Sequence, residues 1–228
     1  MTEEKYENII PTHKGRTFVS KKRKEESYLL FEYENYEEYR DIQIKGFREK
    51  ETHKWYKEKN LRNFIVPYIY GTNPDVSFGL CHGTRNGGEQ RILIDEFKVT
   101  YDKDVKVVGT EIAPEAERKY PNTIYWDFHN VKEEWLCNVD FIYSNSIDHS
   151  YKPEECVRAW MSCLNTNGIC VIVHSDDHSS LIGKLDSFAI IEEKFLEMVE
   201  FYGFRVVDIL RPRVWSSENR NYIILKNK

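Results

Sequence analysis

The stretch FGLCHGTRNGGEQ, residues 78–90, sets a short apolar run against a loop carrying Gly83, Gly87 and Gly88, then opens a helical pattern. Apolar segments ending in polar residues recur downstream: VKVVGTEIAPEA (105–116), TIYWDF (123–128), VDFIYSNSIDHSYKPEE (139–155) and NGICVIVHSDDH (167–178). Short apolar runs alternating with helical segments predict an α/β fold of the doubly wound, Rossmann-like kind with a mostly parallel sheet. In such sheets ligands bind in the crevice outside the carboxyl ends of the strands. Those ends carry Gly83, Arg85, Glu111, Asp127, Asn145, Asp148 and His149, so the site is located before its chemistry is known.

Five strands are predicted at 76–80, 105–111, 123–127, 139–144 and 169–174, with helices over 86–97, 153–164 and about 190–202. Pro153 suits a first helical turn, where its missing N–H costs nothing. Gly203 is placed to stop the last helix. The final runs FRVVDIL (204–210) and NYIILK (221–226) predict an antiparallel pair closing one sheet edge and bring the count to seven strands. Upstream, 28–72 is aromatic and charged. It predicts two helices broken near Gly46 and a boundary turn at YGTNPD (70–75). The chain thus divides into a polar arm (1–27), a helical cap or substrate-recognition segment (28–72) and an α/β domain (73–228).

The chain has 228 residues, 40% hydrophobic and 31% charged, enough for one α/β domain with an added segment. A net charge of −5 argues against a general nucleic-acid binder, which needs a basic face. The run Lys21-Lys22-Arg23-Lys24 is followed at once by Glu25-Glu26 and reads as solvated surface. Cys81, Cys137, Cys156, Cys163 and Cys170 form no CxxC pair and are expected to be buried free thiols in a reducing compartment. The N-terminus has no signal-peptide pattern and no apolar run approaches the ~18 residues of a membrane span, so a cytoplasmic protein is expected.

Small residues in the loop after the first strand let backbone approach a ligand, and the helix that follows aims free N–H groups at it. The spacing Gly83-x-x-x-Gly87-Gly88 is not the dinucleotide fingerprint GxGxxG, and an ordinary tight turn fits it equally well. Glu111 ends the second strand, where an acid can accept both hydroxyls of a ribose; it also suits the helix N-terminus that follows. Asp127-Phe128 ends the third, placing an acid and a ring where adenine can be hydrogen-bonded and stacked.

On these residues the region 76–172 resembles the class I S-adenosylmethionine-dependent methyltransferases. VDFIYSNSIDHSYKPEECVRAWMSCLNTNGICVIV (139–173) is similar to the block that family carries from its fourth strand to its fifth. The resemblance implies that Gly83, Thr84, Arg85 and Gly87 hold the methionine end of the cofactor. It also implies that Glu111 binds the ribose, that Asp127 and Phe128 take the adenine, and that Ser144 and Asn145 line the cofactor. The sequence departs from the family at Phe78-Gly79, where the usual acid for the cofactor ammonium is absent; His82 or a backbone carbonyl would have to substitute.

Asn145-x-x-Asp148-His149 follows the fourth strand. A histidine near its reference pKa of ~6.5, with a carboxylate beside it, suits removal of a proton from an acceptor hydroxyl. Alternatively, Mg²⁺ held by oxygen ligands would lower the hydroxyl's pKa. The spacing resembles the Glu-x-x-Glu-His metal site of ubiquinone-pathway O-methyltransferases, with Asn145 in place of the first glutamate. Asp148, His149, Asp176 and Asp177 are the candidate metal ligands, although Asp148-His149 would also serve as a loop cap and Asp176-Asp177 as solvated residues. His174, Trp126 and Trp160 read as structural.

The expectation is an O-methyltransferase acting on a small-molecule, sugar or glycan hydroxyl, with neither nucleic acid nor membrane as partner and a dimer as one oligomeric option. The competing classes are a nicotinamide-dependent oxidoreductase, which the absent GxGxxG disfavours, and a non-catalytic relative of the fold.

Overall fold

The computed structural model describes residues 28–175, 182–212 and 220–228. The arm expected over 1–27, with its basic run, lies outside the described residues, as do Asp176, Asp177 and His178.

The helical segment comes first. After the short strand β1 (Tyr28–Leu30), α1 runs unbroken over Tyr36–Lys50. Asn35 caps it by accepting the Glu38 N–H at 2.9 Å, and Glu37, Glu38, Arg48 and Lys50 match the helix dipole at the two ends. Gly46 does not break this helix, as its sequence suggested. It is a contact residue, since a Cβ there would lie 2.2 Å from Leu185 Cδ1. The chain leaves the helix after Lys50 instead, and re-forms α2 (Glu58–Asn60), a π-helical turn (Leu61–Ile65) and α3 (Val66–Thr72).

The α/β part follows with β2 (Phe78–His82), α4 (Gly88–Tyr101), β3 (Lys106–Glu111), α5 (Pro114–Lys119), β4 (Thr123–Tyr125), β5 (Val139–Ser144), α6 (Pro153–Cys163) and β6 (Leu164–Ser175). It closes with β7 (Phe188–Ile190), α7 (Glu192–Phe201), β8 (Phe204–Leu210) and β9 (Arg220–Asn227). The main sheet has seven strands in the order β4-β3-β2-β5-β6-β9-β8. It is parallel except for β9, which pairs antiparallel with both β6 and β8, so β8 forms the edge. β6 begins earlier than its apolar run because a register shift against β5 between Val139 and Phe141 lets residues 164–168 join the strand.

Alternate residues of each strand serve opposite faces. Leu80, Ile142 and Ile172 pack with Trp160 of α6 and Phe195 of α7, whereas Cys81, Phe141, Tyr143 and Val171 pack with Leu61, Ile65, Ile69 and Phe97. Each such fully buried side chain stabilises by about 1.5–3 kcal/mol, and a one-residue slip of a strand would exchange its two faces. Of the cysteines, Cys81, Cys156, Cys163 and Cys170 are buried free thiols as expected, but Cys137 is exposed. It sits at a left-handed turn before β5 rather than in a packed element.

At the amino end of the sheet Asp140 gathers five donors. Oδ2 accepts the N–H groups of Ser77 and Phe78 at 2.8 and 2.9 Å and the Ser77 hydroxyl at 3.2 Å. Oδ1 accepts the side-chain amides of Asn73 at 3.0 Å and Asn165 at 2.8 Å. A second, two-stranded sheet pairs β1 with β7. Three-residue strands leave no periodicity to read, and this sheet arises from the tertiary contact alone. It draws residues 28–35 and 182–190 together beside the carboxyl end of the main sheet. Among the described residues no helix is long and apolar enough to cross a membrane.

Candidate functional site

β2 ends at His82 and the chain turns through Gly83 (φ 68°), Arg85 (φ 50°) and Gly87 (φ 68°). The left-handed region is free for glycine but costs arginine about 1–2 kcal/mol, so the loop is held by its neighbours. The N–H groups of Gly83 and Thr84 both donate to the Thr110 carbonyl at 3.0 and 3.2 Å. Arg85 N–H donates to Glu111 Oε2 at 2.9 Å, and Ile112 and Ala113 N–H donate to Oε1 at 2.9 and 3.3 Å. Burial raises the Glu111 carboxyl above its usual range against the opposing effect of these donors. Glu111 is thus the joint between the glycine loop and the start of α5.

Asp127 follows β4. Its Oδ2 accepts the Tyr36 hydroxyl at 2.9 Å, and its Oδ1 meets the N–H and Nδ1 of His129 at 2.9 and 2.7 Å. Burial alone would raise this carboxyl, but the His129 and Tyr36 contacts outweigh it and hold it below the usual carboxylate range. The remaining His129 nitrogen reaches Ser150 Oγ at 2.8 Å. α1 therefore lies across the ends of β3 and β4. Phe47 packs on Ala113 and Ala116, Arg48 pairs with Glu115 at 2.6 Å, and Lys119 pairs with Glu51 at 2.9 Å.

A cavity opens on the other side of the loop. Gly83, Thr84, Arg85, Asn86 and Glu89 form one wall, and residues 145–149 after β5 form the next. Residues 173–175, 186 and 188–190 and Arg220 close the far side, and Lys50, His53, Trp55 and Tyr56 roof it. The roof is tied down by Asn145, whose side-chain amide donates to the Trp55 carbonyl at 3.0 Å. It is also packed by Tyr56, which covers Gly88 so closely that a Cβ there would sit 2.1 Å from the hydroxyl.

Of the residues expected at the site, Gly83, Thr84, Arg85, Asn145, Asp148 and His149 line this cavity. Gly87, Glu111, Asp127, Phe128 and Ser144 do not. Gly87 caps α4, and Glu111 and Asp127 lie toward α1. Phe128 is in the core against Trp160, and Ser144 Oγ donates to the His82 carbonyl at 3.2 Å. His82 cannot stand in for the absent acid. It is 2% exposed, its ring stacks on Trp160 at 5.0 Å, and burial, with His129 nearby, lowers its pKa to about 3. An acid at Gly79 is excluded sterically, because a Cβ there would lie 2.2 Å from Phe141 Cζ.

His149 lies in a 3₁₀ turn, Ile147–His149. Its Nδ1 is 2.8 Å from the Leu185 carbonyl. A carbonyl only accepts, so Nδ1 carries the proton and Nε2 holds the lone pair. The acid found at this imidazole is Asp186, with Oδ1 3.7 Å from Nδ1. Asp148, His149 and Asp186 offer ligand atoms within 4.8 Å of one another. His174 is structural, as expected, its Nε2 bonding the Ile190 carbonyl at 2.9 Å.

Three cavity residues were not legible beforehand. Glu89 reads in sequence as an acid complementing a helix N-terminus, Asp186 comes from a segment with no pattern, and Trp55 lies in an aromatic stretch with many equal candidates.

No family model matches the chain, and no curated protein matches it. Solved structures do. The Burkholderia thailandensis 1,6-didemethyltoxoflavin-N1-methyltransferase, solved with 1,6-didemethyltoxoflavin and S-adenosylhomocysteine, aligns at TM-score 0.63 and 13% identity, covering 88% of this chain and 95% of that one. An S-adenosylmethionine-dependent methyltransferase from Clostridium acetobutylicum aligns at TM-score 0.56 and 14% identity over 84% of this chain and 98% of that one. LepI in complex with S-adenosylmethionine aligns at TM-score 0.60 and 13% identity over 81% of this chain and 52% of LepI. The mostly parallel seven-stranded sheet with its antiparallel β9 is the Rossmann-like fold of the methyltransferases.

Proposed function

We propose that the protein is an S-adenosylmethionine-dependent methyltransferase that methylates a hydroxyl group of a small acceptor. The observation that carries this reading is one cavity that joins the glycine loop to His149 at the carboxyl ends of β2, β5 and β6. The residues present fit the cofactor. Among the described residues Thr84 Oγ1, buried beside the loop, has no hydrogen-bond partner, and such a group calls for a ligand or water. A carboxylate has about four acceptor positions, of which the backbone takes three at Glu111, leaving room for a ribose hydroxyl. In this reading Gly83, Thr84, Arg85 and Asn145, which line the cavity, hold the methionine end, while Glu111 takes the ribose and Asp127 the adenine on the side toward α1. Tyr36 then shares Asp127 with the adenine amine or gives way to it.

When bound, S-adenosylmethionine supplies a methyl group on a sulfonium. His149 Nε2 would accept the proton of the acceptor hydroxyl, whose oxygen would take the methyl group that the bound cofactor supplies. Leu185 fixes the tautomer, and Asp186, beside Nδ1, favours the imidazolium that forms. Trp55 offers an exposed ring on the cavity wall, which supports the finer reading of a sugar or glycan hydroxyl as acceptor.

A second reading is carried by Asp186: with Asp148 and His149 it gives a donor set suited to a divalent cation such as Mg²⁺, which would lower the acceptor's pKa. A nicotinamide-dependent oxidoreductase and a non-catalytic relative are both less favoured, the first because the loop is not GxGxxG and the second because His149 is set with a free nitrogen in the cavity. Calorimetry with S-adenosylhomocysteine and NAD, followed by labelled methyl transfer onto a panel of hydroxyl compounds, tests the proposal. Binding of S-adenosylhomocysteine alone and transfer to oxygen are expected. Binding of NAD alone would overturn it. Full activity after exhaustive EDTA treatment would remove the cation.

A further inference from the structure

Glu89 is in the first turn of α4, 7% exposed, yet it forms part of the cavity wall. The Asn145 side chain, which also holds the roof through Trp55, hydrogen-bonds it. Arg85 from the loop and Arg220 from β9 face it with positive charge, Glu111 from the end of β3 with negative charge. Tyr56 from the roof, Tyr143 from β5, Cys81 from β2 and Tyr222 from β9 also face it. Burial dominates over both arginines and pushes the Glu89 carboxyl up to about 8. A carboxyl in this state is under-compensated in the ligand-free protein, and a cation brought into the cavity would make it ionise. The same end of the cavity also suits an anion, because the Arg85 guanidinium belongs to the loop that walls it. An acid, an amide and a guanidinium on one wall match a group bearing both an ammonium and a carboxylate.

We infer that Glu89 and Asn145 bind the α-ammonium, and Arg85 the α-carboxylate, of the amino-acid end of S-adenosylmethionine. This rests on the function proposed above and deepens it by naming Glu89 as the residue that recognises the charged end of the cofactor. β2 offers no acid for this task, since Phe141 fills the space over Gly79.

The test compares S-adenosylhomocysteine with 5′-methylthioadenosine, which keeps the adenosine and lacks the amino acid. Calorimetry on wild type and Glu89→Gln should show S-adenosylhomocysteine bound at least tenfold more weakly by the variant, with 5′-methylthioadenosine bound equally by both. Equal 5′-methylthioadenosine binding also shows that the variant is folded. Wild-type affinity for S-adenosylhomocysteine should strengthen as pH rises toward about 8, where Glu89 gives up its proton, and Glu89→Gln should lose that dependence. Unchanged S-adenosylhomocysteine affinity in Glu89→Gln, with wild type binding both compounds, would overturn the Glu89 assignment and leave the methyltransferase reading standing. Failure of wild type to bind either compound would overturn both.

Discussion

Asp140 and Glu89 are buried acids at opposite ends of the same sheet, and their surroundings differ in kind. Asp140, at the amino end, accepts five hydrogen bonds from four residues: Asn73 and Ser77 before β2, Phe78 at its start and Asn165 in β6. Burial would raise it, but those donors hold it below the usual carboxylate range. Glu89, at the carboxyl end, is as buried, and there burial prevails. One end of the sheet spends its polar groups on itself. The other keeps polar groups under-compensated around a cavity: Glu89 and the Thr84 hydroxyl. A fold that completes its hydrogen bonds at one pole and leaves them open at the other is stable at the first and available for ligands at the second.

If that contrast is right, substitutions at the two ends should fail in opposite ways. The largest effect is expected for His149→Ala, with turnover down by ~10²–10⁴. Its S-adenosylhomocysteine affinity and unfolding midpoint should be unchanged, and added imidazole should restore part of the rate. Near-normal turnover would move the proton acceptor elsewhere.

Asp140→Ala should do the reverse, costing about 3 kcal/mol of unfolding free energy in urea titration because backbone and amide donors are left buried without an acceptor. The folded fraction should bind S-adenosylhomocysteine as wild type does. Because the folded-state pKa of Asp140 is depressed, its contribution is present above the unfolded-state value of ~3.9 and is lost as pH falls through the lower folded one.

Glu111 joins both tasks, since its carboxylate holds three backbone N–H groups and is proposed to take the ribose. Glu111→Ala should weaken S-adenosylhomocysteine binding by about 2–4 kcal/mol and also destabilise the protein by about 1–2 kcal/mol. Loss of stability alone would make it a purely structural joint.

The smallest change sharpens the contrast most. In the unfolded chain Glu89 ionises near ~4.3, while the folded protein keeps its proton to about 8. Between these values the unfolded state binds fewer protons, so ligand-free wild type should lose stability as pH rises, by at most ~1.4 kcal/mol per pH unit. Glu89→Gln should flatten that slope and be the more stable protein at pH 8 while binding S-adenosylhomocysteine less well. An unchanged slope would place the ionised form already in the empty cavity.

The sheet was legible because strand ends and apolar runs are local. Val139–Ser144 emerges as read, Lys106–Glu111 starts one residue later than read, and FRVVDIL and NYIILK form β8 and β9. Gly46 was misread because a glycine needed for contact with Leu185 and one that breaks a helix look alike in one dimension. Gly83, Arg85, Asn145, Asp148 and His149 were legible as residues of the cavity wall because position at a strand's carboxyl end selects them. Glu89 and Asp186 were not, because burial of an acid depends on what packs around it.

The sequence by itself therefore determined the α/β order, the faces of the strands and the end of the sheet at which the cavity opens, all of which follow from periodicity and chirality over short spans. Only the tertiary structure decided which polar groups share the cavity. α1 lies over Glu111 and Asp127, the β1–β7 pairing carries Leu185 and Asp186 to His149, and Tyr56 and Asn145 set the roof above Glu89. Those contacts join residues far apart in the chain. Their energies come from desolvation and hydrogen-bond geometry, which do not exist until the chain has folded.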